Sequence, residues 1–304
     1  HEYYASKYPS VATEYGSSQA KLYEHFTKFG LMEGKQASPV FSVVHYLQSN
    51  SSVLSKCGNH YTAAMLHYYS TGRNTKGLKT APAADLGSKF EATINHTSAN
   101  INIGIASTAT NTDNNAWNVQ TVAASDTDAK QIWVFTRNAD GSYTLTNKAY
   151  PNAAMDTSGV AIADATNIAT YTNTGVDDEH RHWYFFERTP GNYVISPAHS
   201  SGKVVDISGG GITANKNIQL YTYNYTPAQY YKISILNYTS STDSIWYKTL
   251  TPNDSFTTPL YPSDADKHTL LSYDNISLEK YKAVYDGFVD RGFEIYSDSV
   301  KGKV

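Results

Sequence analysis

Two aspartates stand fifty residues apart in matching settings, Asp156 in "AAMDTSG" and Asp206 in "KVVDISG". An ionised carboxylate is an acceptor of hydrogen bonds only, and it can take two neighbouring hydroxyls in a fork with charge assistance. The same residue in a D-x-S-G turn can also simply bond its own backbone. A second polar cluster, "DDEHRHW" from Asp177 to Trp183, holds His180 and His182 two residues apart. On a strand they would share a face and could approach a metal, but spacing fixes no third ligand, so a polar loop entering a strand is the simpler reading. His25 and His67 recur at equivalent places and have no ligand partner at i+4, which favours packing or capping. The glycine run Ser208 to Gly211 follows a strand, opens no helix and lacks the lysine of a phosphate cradle. No G-x-S-x-G, H-E-x-x-H or aligned Cys–His pair occurs, so neither catalytic residues nor a cofactor nor a metal is expected.

The elements that position these residues are repeats. From the N-terminus, "EYYASKYPSVATEYG" aligns with "VHYLQSNSSVLSKCG" at an offset of 42, so that Tyr4 meets Tyr46, Gly16 meets Gly58, His25 meets His67 and Gly30 meets Gly72. Two helical repeats of about 42 residues therefore fill residues 1–80. Each copy is expected to hold two short helices, the first carrying Tyr4, Tyr8 and Val11 and closed by Gly16. Such units cannot bury a face alone and must pack on each other or on something else. Residues 81–89, with Pro82 and Gly87, are expected to be a linker.

Beyond the linker, short alternating apolar runs punctuated by Gly, Asn, Asp and Pro predict an all-β region. "QIWVF" begins at Gln131, "RHWYF" at Arg181 and "QYYKI" at Gln229, placing Trp133, Trp183 and Tyr231 at one beat. "NVQTV", "NIATY" and "NIQLY", from Asn118, Asn167 and Asn217, keep the same beat. Three copies of about 50 residues, each with about four short strands, predict a β-trefoil, because one copy alone would leave sheet edges and half a core exposed. The aromatic of each triplet is expected in the shared core.

On these residues the stretch 90–236 resembles the ricin-type β-trefoil lectin family, and the helical pair resembles short repeats of bacterial surface and secreted proteins. The lectin resemblance implies carbohydrate binding, with galactose-type sugars in the family's range, at one site per repeat. In each, an Asp takes two sugar hydroxyls, an aromatic two residues after a Gln stacks on the ring, and the Gln-x-Trp glutamine adds bonds. The third repeat carries Asp206, Gln219, Tyr221 and Gln229, with Ala228 replacing a usual Asn or Asp and Asn224 or Tyr223 able to compensate. The second keeps Asp156 and Tyr171, with Ala169 and Arg181 replacing the two glutamines and His180 or Asn173 as a donor. The first has Gln120 and Gln131 but Val122 at the stacking position and no Asp in "INIGIAS", so it is expected to be silent.

Composition agrees with a polar rather than charged surface: 40% hydrophobic, 17% charged, 26 Tyr, net charge -3. That charge offers no basic footprint for nucleic acid, and no apolar run is long enough to insert in a membrane. Cys57 is alone, so no intramolecular disulfide forms. A start at His1 is simplest for an excised or processed chain, with further domains of a larger parent among its partners. Residues 237–304 are expected to be a small α+β module, with one helix presenting Leu278, Tyr281, Tyr285 and Phe288 on a face. The whole is expected to be a mainly β, multidomain, non-enzymatic, extracellular glycan-binding chain that serves targeting or adhesion. Two alternatives stand: a non-catalytic portion of a secreted glycoside hydrolase, protease or toxin, and a structural or protein-docking module.

Overall fold

The computed structural model describes residues 1–174 and 178–238. The expected C-terminal α+β module lies outside the described residues, apart from the end of the last strand, and so does Asp177. The N-terminal part is helical: α1 (Glu2–Lys7), α2 (Pro9–Tyr15), α3 (Gln19–His25), α4 (Val43–Ser49), α5 (Ser51–Cys57) and α6 (Tyr61–Ser70). Each repeat thus has three helices rather than the expected two. Pro9 disfavours helical geometry at Tyr8, which sits at φ -128 and ψ 71 between α1 and α2. In the second copy Asn50 makes the break. It leaves the helix at φ -131, and its side-chain amide donates to the carbonyl of Tyr46.

Repeat symmetry extends to side chains. Tyr4 Oη lies 3.0 Å from His25 Nδ1, and Tyr46 Oη lies 2.9 Å from His67 Nδ1. The histidines therefore serve packing. Gly30 and Gly72 are required beside these pairs, because a Cβ at either would overlap the tyrosine hydroxyl. The second copy also meets the β region: Tyr68 Oη donates to Ser201 O at 3.1 Å, and Ser201 Oγ donates to Thr75 O at 2.7 Å.

Residues 81–88 form neither helix nor strand, yet they are fixed against the β region. Ala81 and Leu86 are buried, Ala84 N donates to Phe185 O, and Leu86 N donates to Tyr143 Oη. Lys89, placed in the expected linker, instead opens the first strand, because it pairs in register with Thr136.

Twelve strands follow among the described residues: β1 (Lys89–His96), β2 (Ile101–Asn111), β3 (Ala116–Ala123), β4 (Ile132–Arg137), β5 (Tyr143–Asn147), β6 (Ala153–Thr157), β7 (Thr166–Thr172), β8 (His182–Thr189), β9 (Asn192–Pro197), β10 (Lys203–Ile207), β11 (Ile218–Thr222) and β12 (Tyr231–Tyr238). Pairing runs β1–β4–β5–β8–β9–β12 and back to β1, which closes a six-stranded barrel. The other strands form the hairpins β2–β3, β6–β7 and β10–β11. These join one another through β3–β7, β7–β11 and a Gln120–Asn217 bridge, capping one end of the barrel. A six-stranded barrel capped by a triangle of hairpins is the β-trefoil architecture. Closure removes the sheet edges that a single copy would expose.

The core fills the barrel. Trp133, Trp183 and Tyr231 are fully or almost fully buried, packed with Phe90, Phe135, Tyr143 and Phe185. Each Trp finds a carbonyl for its indole N–H, Trp133 at Ile103 and Trp183 at Met155. Three amides meet where the hairpins converge. Asn118 Nδ2 donates to Asn217 Oδ1 at 2.9 Å, Asn217 Nδ2 to Asn167 Oδ1 at 2.8 Å, and Asn167 Nδ2 to Asn118 Oδ1 at 3.0 Å. One residue from each repeat thus closes a ring of hydrogen bonds.

Candidate carbohydrate site

The third repeat assembles its candidate residues on one hairpin and the turn after it. Asp206 on β10 faces Gln219 on β11 in direct register, and Val204 faces Tyr221. The two-residue period of β11 puts Gln219 and Tyr221 on the same side. Gln229 comes from the 3₁₀ turn Pro227–Gln229, which delivers the chain into β12. The Asp206 carboxylate accepts from Gln219 Nε2 at 3.0 Å through one oxygen and from Gln229 Nε2 at 3.1 Å through the other. Gln229 also donates to Thr222 O and accepts from Asn224 N, so it ties the carboxylate to the 223–226 loop.

A carboxylate offers roughly four lone-pair positions, and the two glutamines take two. Two remain for hydroxyls of a ligand. Both partners are neutral, so the carboxylate keeps its charge uncompensated. Burial pushes the Asp206 carboxyl above its ordinary value, while the two glutamine amides pull it back down. Tyr221 stands beside it, 36% exposed, with a ring able to cover an apolar sugar face. Asn224 is exposed, and its side-chain oxygen accepts from Thr226 N and Oγ1. Ala228 is buried and contributes no polar group.

The second repeat has the same frame and a different occupant. Asp156 on β6 faces Ala169 on β7, and Tyr171 lies two residues on. Arg181 stands where Gln229 stands in the third repeat. Its Nε donates to Asp156 Oδ2 at 2.9 Å, and its Nη1 lies 3.2 Å from Asp178. His180 Nδ1 lies 3.0 Å from the other Asp156 oxygen. The guanidinium carbon sits 5.5 Å over the Tyr171 ring. Asp156, Tyr171 and His180 are therefore brought together, but a cation of the chain itself holds the carboxylate and overlies the aromatic face. Sequence reasoning saw that Arg181 replaced a glutamine, not that it would take Asp156 as its partner. Its shared position with Gln131 and Gln229 was the available signal.

In the first repeat Gly104 occupies the aspartate position, facing Gln120 across β2–β3. The equivalence rests on the indole bonds, which end on Ile103 and Met155, each one residue before the position in question. Val122 and the Gln131 side chain crowd Gly104 so closely that even a Cβ would be tight. Gln131 spends its amide on Asn102, Ser125, Ala123 and Asp128. The aspartate position holds no carboxylate and Val122 stands where the stacking ring would be, so the carboxylate that Gln131 meets is Asp128. A plain count of fifty from Asp156 lands on Ala106, because the β2–β3 hairpin is longer than its counterparts.

His182 opens β8 and is buried, whereas His180 lies in the preceding turn, so the two do not share a strand face. Among the described residues no group of three or more His, Cys, Asp or Glu is placed to hold a metal ion. Among them, too, no helix is long and apolar enough to cross a membrane.

Residues 129–221 match the family described as ricin-type beta-trefoil lectin domain-like. No curated protein matches the chain. Among solved structures, a designed threefold-symmetric protein, ThreeFoil, is 18% identical with TM-score 0.43, covering 48% of this chain and 99% of its own. A ricin B-like lectin of Macrolepiota procera, solved in complex with lactose, is 17% identical with TM-score 0.41, covering 50% and 99%. The Rhizoctonia solani agglutinin is 15% identical with TM-score 0.42, covering 51% and 100%.

Proposed function

We propose that this chain, whose residues 129–221 belong to a ricin-type β-trefoil lectin-like domain, binds glycans, and that the third repeat is its principal site. One observation carries the choice of repeat. The Asp206 carboxylate is held by two neutral amides beside an exposed tyrosine, whereas Asp156 is neutralised by Arg181. Asp206 would accept two vicinal hydroxyls, Tyr221 would cover the C–H face of the ring, and Gln229 would fix the carboxylate's orientation. Asp156, Tyr171 and His180 form a weaker site that requires Arg181 to be displaced. The first repeat serves the fold alone.

Binding of this kind is shallow and needs neither metal nor cofactor. Galactose-type sugars are the first class to test, since a carboxylate fork suits paired ring hydroxyls. The domain has no catalytic role in this reading. It anchors or targets an extracellular protein, gaining strength from avidity where several copies engage together. A glycan array on this chain is the test. Specific signal that disappears in Asp206→Ala supports the reading, and absence of binding to every glycan removes it. Hydrolytic turnover of an array glycan would point instead to an enzyme. Retention of a protein partner by an Asp156→Ala/Asp206→Ala double variant would point to docking.

A further inference from the structure

A tyrosine-rich cleft lies outside the three sugar positions. A cavity of about 540 Å³ opens between the first helical repeat and the third trefoil repeat, within the usual size of small-ligand pockets, roughly 300–1,000 Å³. Tyrosines dominate it: Tyr4 and Tyr23 from the first repeat, Tyr69 from α6, and Tyr223, Tyr225 and Tyr230 from the trefoil. Three of them remain open to solvent, Tyr23 at 68%, Tyr69 at 45% and Tyr225 at 54%. Arg188 lies 4.2 Å over the Tyr230 ring and pairs with Glu2, so fixed charges stand at the edge of the aromatic wall.

Two further observations point to a ligand. Ser38 lines the cavity, is 7% exposed, and its hydroxyl has no hydrogen-bond partner among the described residues. A buried hydroxyl left unmatched is uncommon and calls for a partner that the protein itself does not supply. The cavity wall is also the loop of the sugar site. Tyr223 and Tyr225, with rings 4.4 Å apart, flank Asn224, whose N–H is held by Gln229, which holds Asp206. Tyr225 takes φ 63, a conformation that a bulky side chain seldom adopts, and its ring lines the cavity.

We propose that this cleft is an extended subsite, taking the second and following rings of an oligosaccharide whose terminal ring sits on Asp206 and Tyr221. The inference rests on the lectin reading of the third repeat and adds its ligand class: a chain of sugars rather than a single one. Flat tyrosine rings match the C–H faces of successive pyranoses. Arg188 and Glu2 supply hydrogen bonds at the margin, and the unmatched Ser38 hydroxyl lies in the buried part of the wall. The helical repeats thereby become part of the binding surface.

Titration calorimetry on the whole chain with galactose, lactose and a galactose-terminated tetrasaccharide tests this. Affinity is expected to rise at least tenfold from galactose to the tetrasaccharide. Tyr23→Ala and Tyr69→Ala, both on the helical side of the cleft, should each remove most of that gain and leave galactose affinity within twofold. Galactose binding with no gain for longer chains, or a gain that survives both variants, overturns the subsite while leaving the lectin reading intact. No binding of any of the three by the unmodified chain overturns both. A Tyr69→Ala variant that keeps the gain but unfolds several degrees lower would mark the cleft as a packing surface for polypeptide, which also overturns the proposal.

Discussion

Replacing Asp206 by Asn isolates the charge of the proposed site from its shape. The carboxylate now accepts from two buried glutamine amides and has two lone pairs to spare. The amide keeps one oxygen, so one glutamine and one sugar hydroxyl are still served, by a neutral acceptor. The other oxygen becomes a donor facing a donor. One charge-assisted bond to ligand is lost, about 1.5–3 kcal/mol, and the other weakens by about 1 kcal/mol. The sum, about 2.5–4 kcal/mol, lowers affinity roughly sixtyfold to several hundredfold at 1.4 kcal/mol per tenfold. Stability changes less. The glutamine left unmatched costs about 1–3 kcal/mol, but removal of a charge that burial disfavours offsets part of this. Calorimetric titration with the strongest glycan from an array, paired with thermal unfolding, separates the two effects. An Asp206→Asn protein that is folded and binds within threefold of the parent would refute the assignment of the carboxylate as the hydroxyl acceptor.

Three further outcomes are expected. Arg181→Gln restores a glutamine to the second repeat and uncovers Tyr171, so binding stoichiometry should rise from about one to about two sugars per chain; an unchanged stoichiometry would show that Arg181 is not the obstacle. Glycan affinity should fall with pH as Asp206 takes up its proton, beginning above the ordinary 3.8 because burial raises it; affinity that is flat down to that value would contradict this. Over the same window stability moves the other way: a carboxyl raised in the folded state binds its proton more tightly there than when unfolded, so its contribution improves as pH falls. Asn167→Ala removes two of the three bonds of the amide ring and should cost about 1–3 kcal/mol in urea unfolding. Adding Asn118→Ala to it removes only the remaining bond, so the double variant should lose less than the sum of the singles.

The barrel was legible in the sequence because its signals are periodic. Trp133, Trp183 and Tyr231 keep their beat since each fills an equivalent slot of one shared core, and nothing local competes with that demand. The Asp206–Gln219 bond follows from strand register, which alternation fixes, whereas Gln229 reaches Asp206 from the 3₁₀ turn, where only its place in the repeat could point to it. Arg181 was harder. Its identity was plain, but whether a guanidinium turns outward or inward depends on Asp156 and Asp178 together, which no spacing rule states. Gly104 was missed because a longer hairpin shifts the count by two, and only the indole-to-carbonyl bonds restore the alignment. The helix breaks at Tyr8 and Asn50 interrupt an otherwise continuous apolar pattern, where one proline and one side-chain amide outweigh periodicity. The tyrosine cleft had no sequence signature, since its walls come from residues more than two hundred positions apart.

The ring of Asn118, Asn167 and Asn217 divides the molecule into parts that are free to vary alone and parts that are not. Every member both gives and receives, so an exchange in any one copy deprives the other two at once. At the rim the opposite holds: the contacts that crowd Gly104 and the hydrogen bonds that hold Asp156 and Asp206 come from their own copies. A threefold fold built this way can carry a glycine in one copy, an ion pair in the next and an amide-held carboxylate in the third without altering the closure of the barrel. The axis is bonded jointly and the rim separately, and that is why one chain can hold three different answers to the same hydrogen-bonding question.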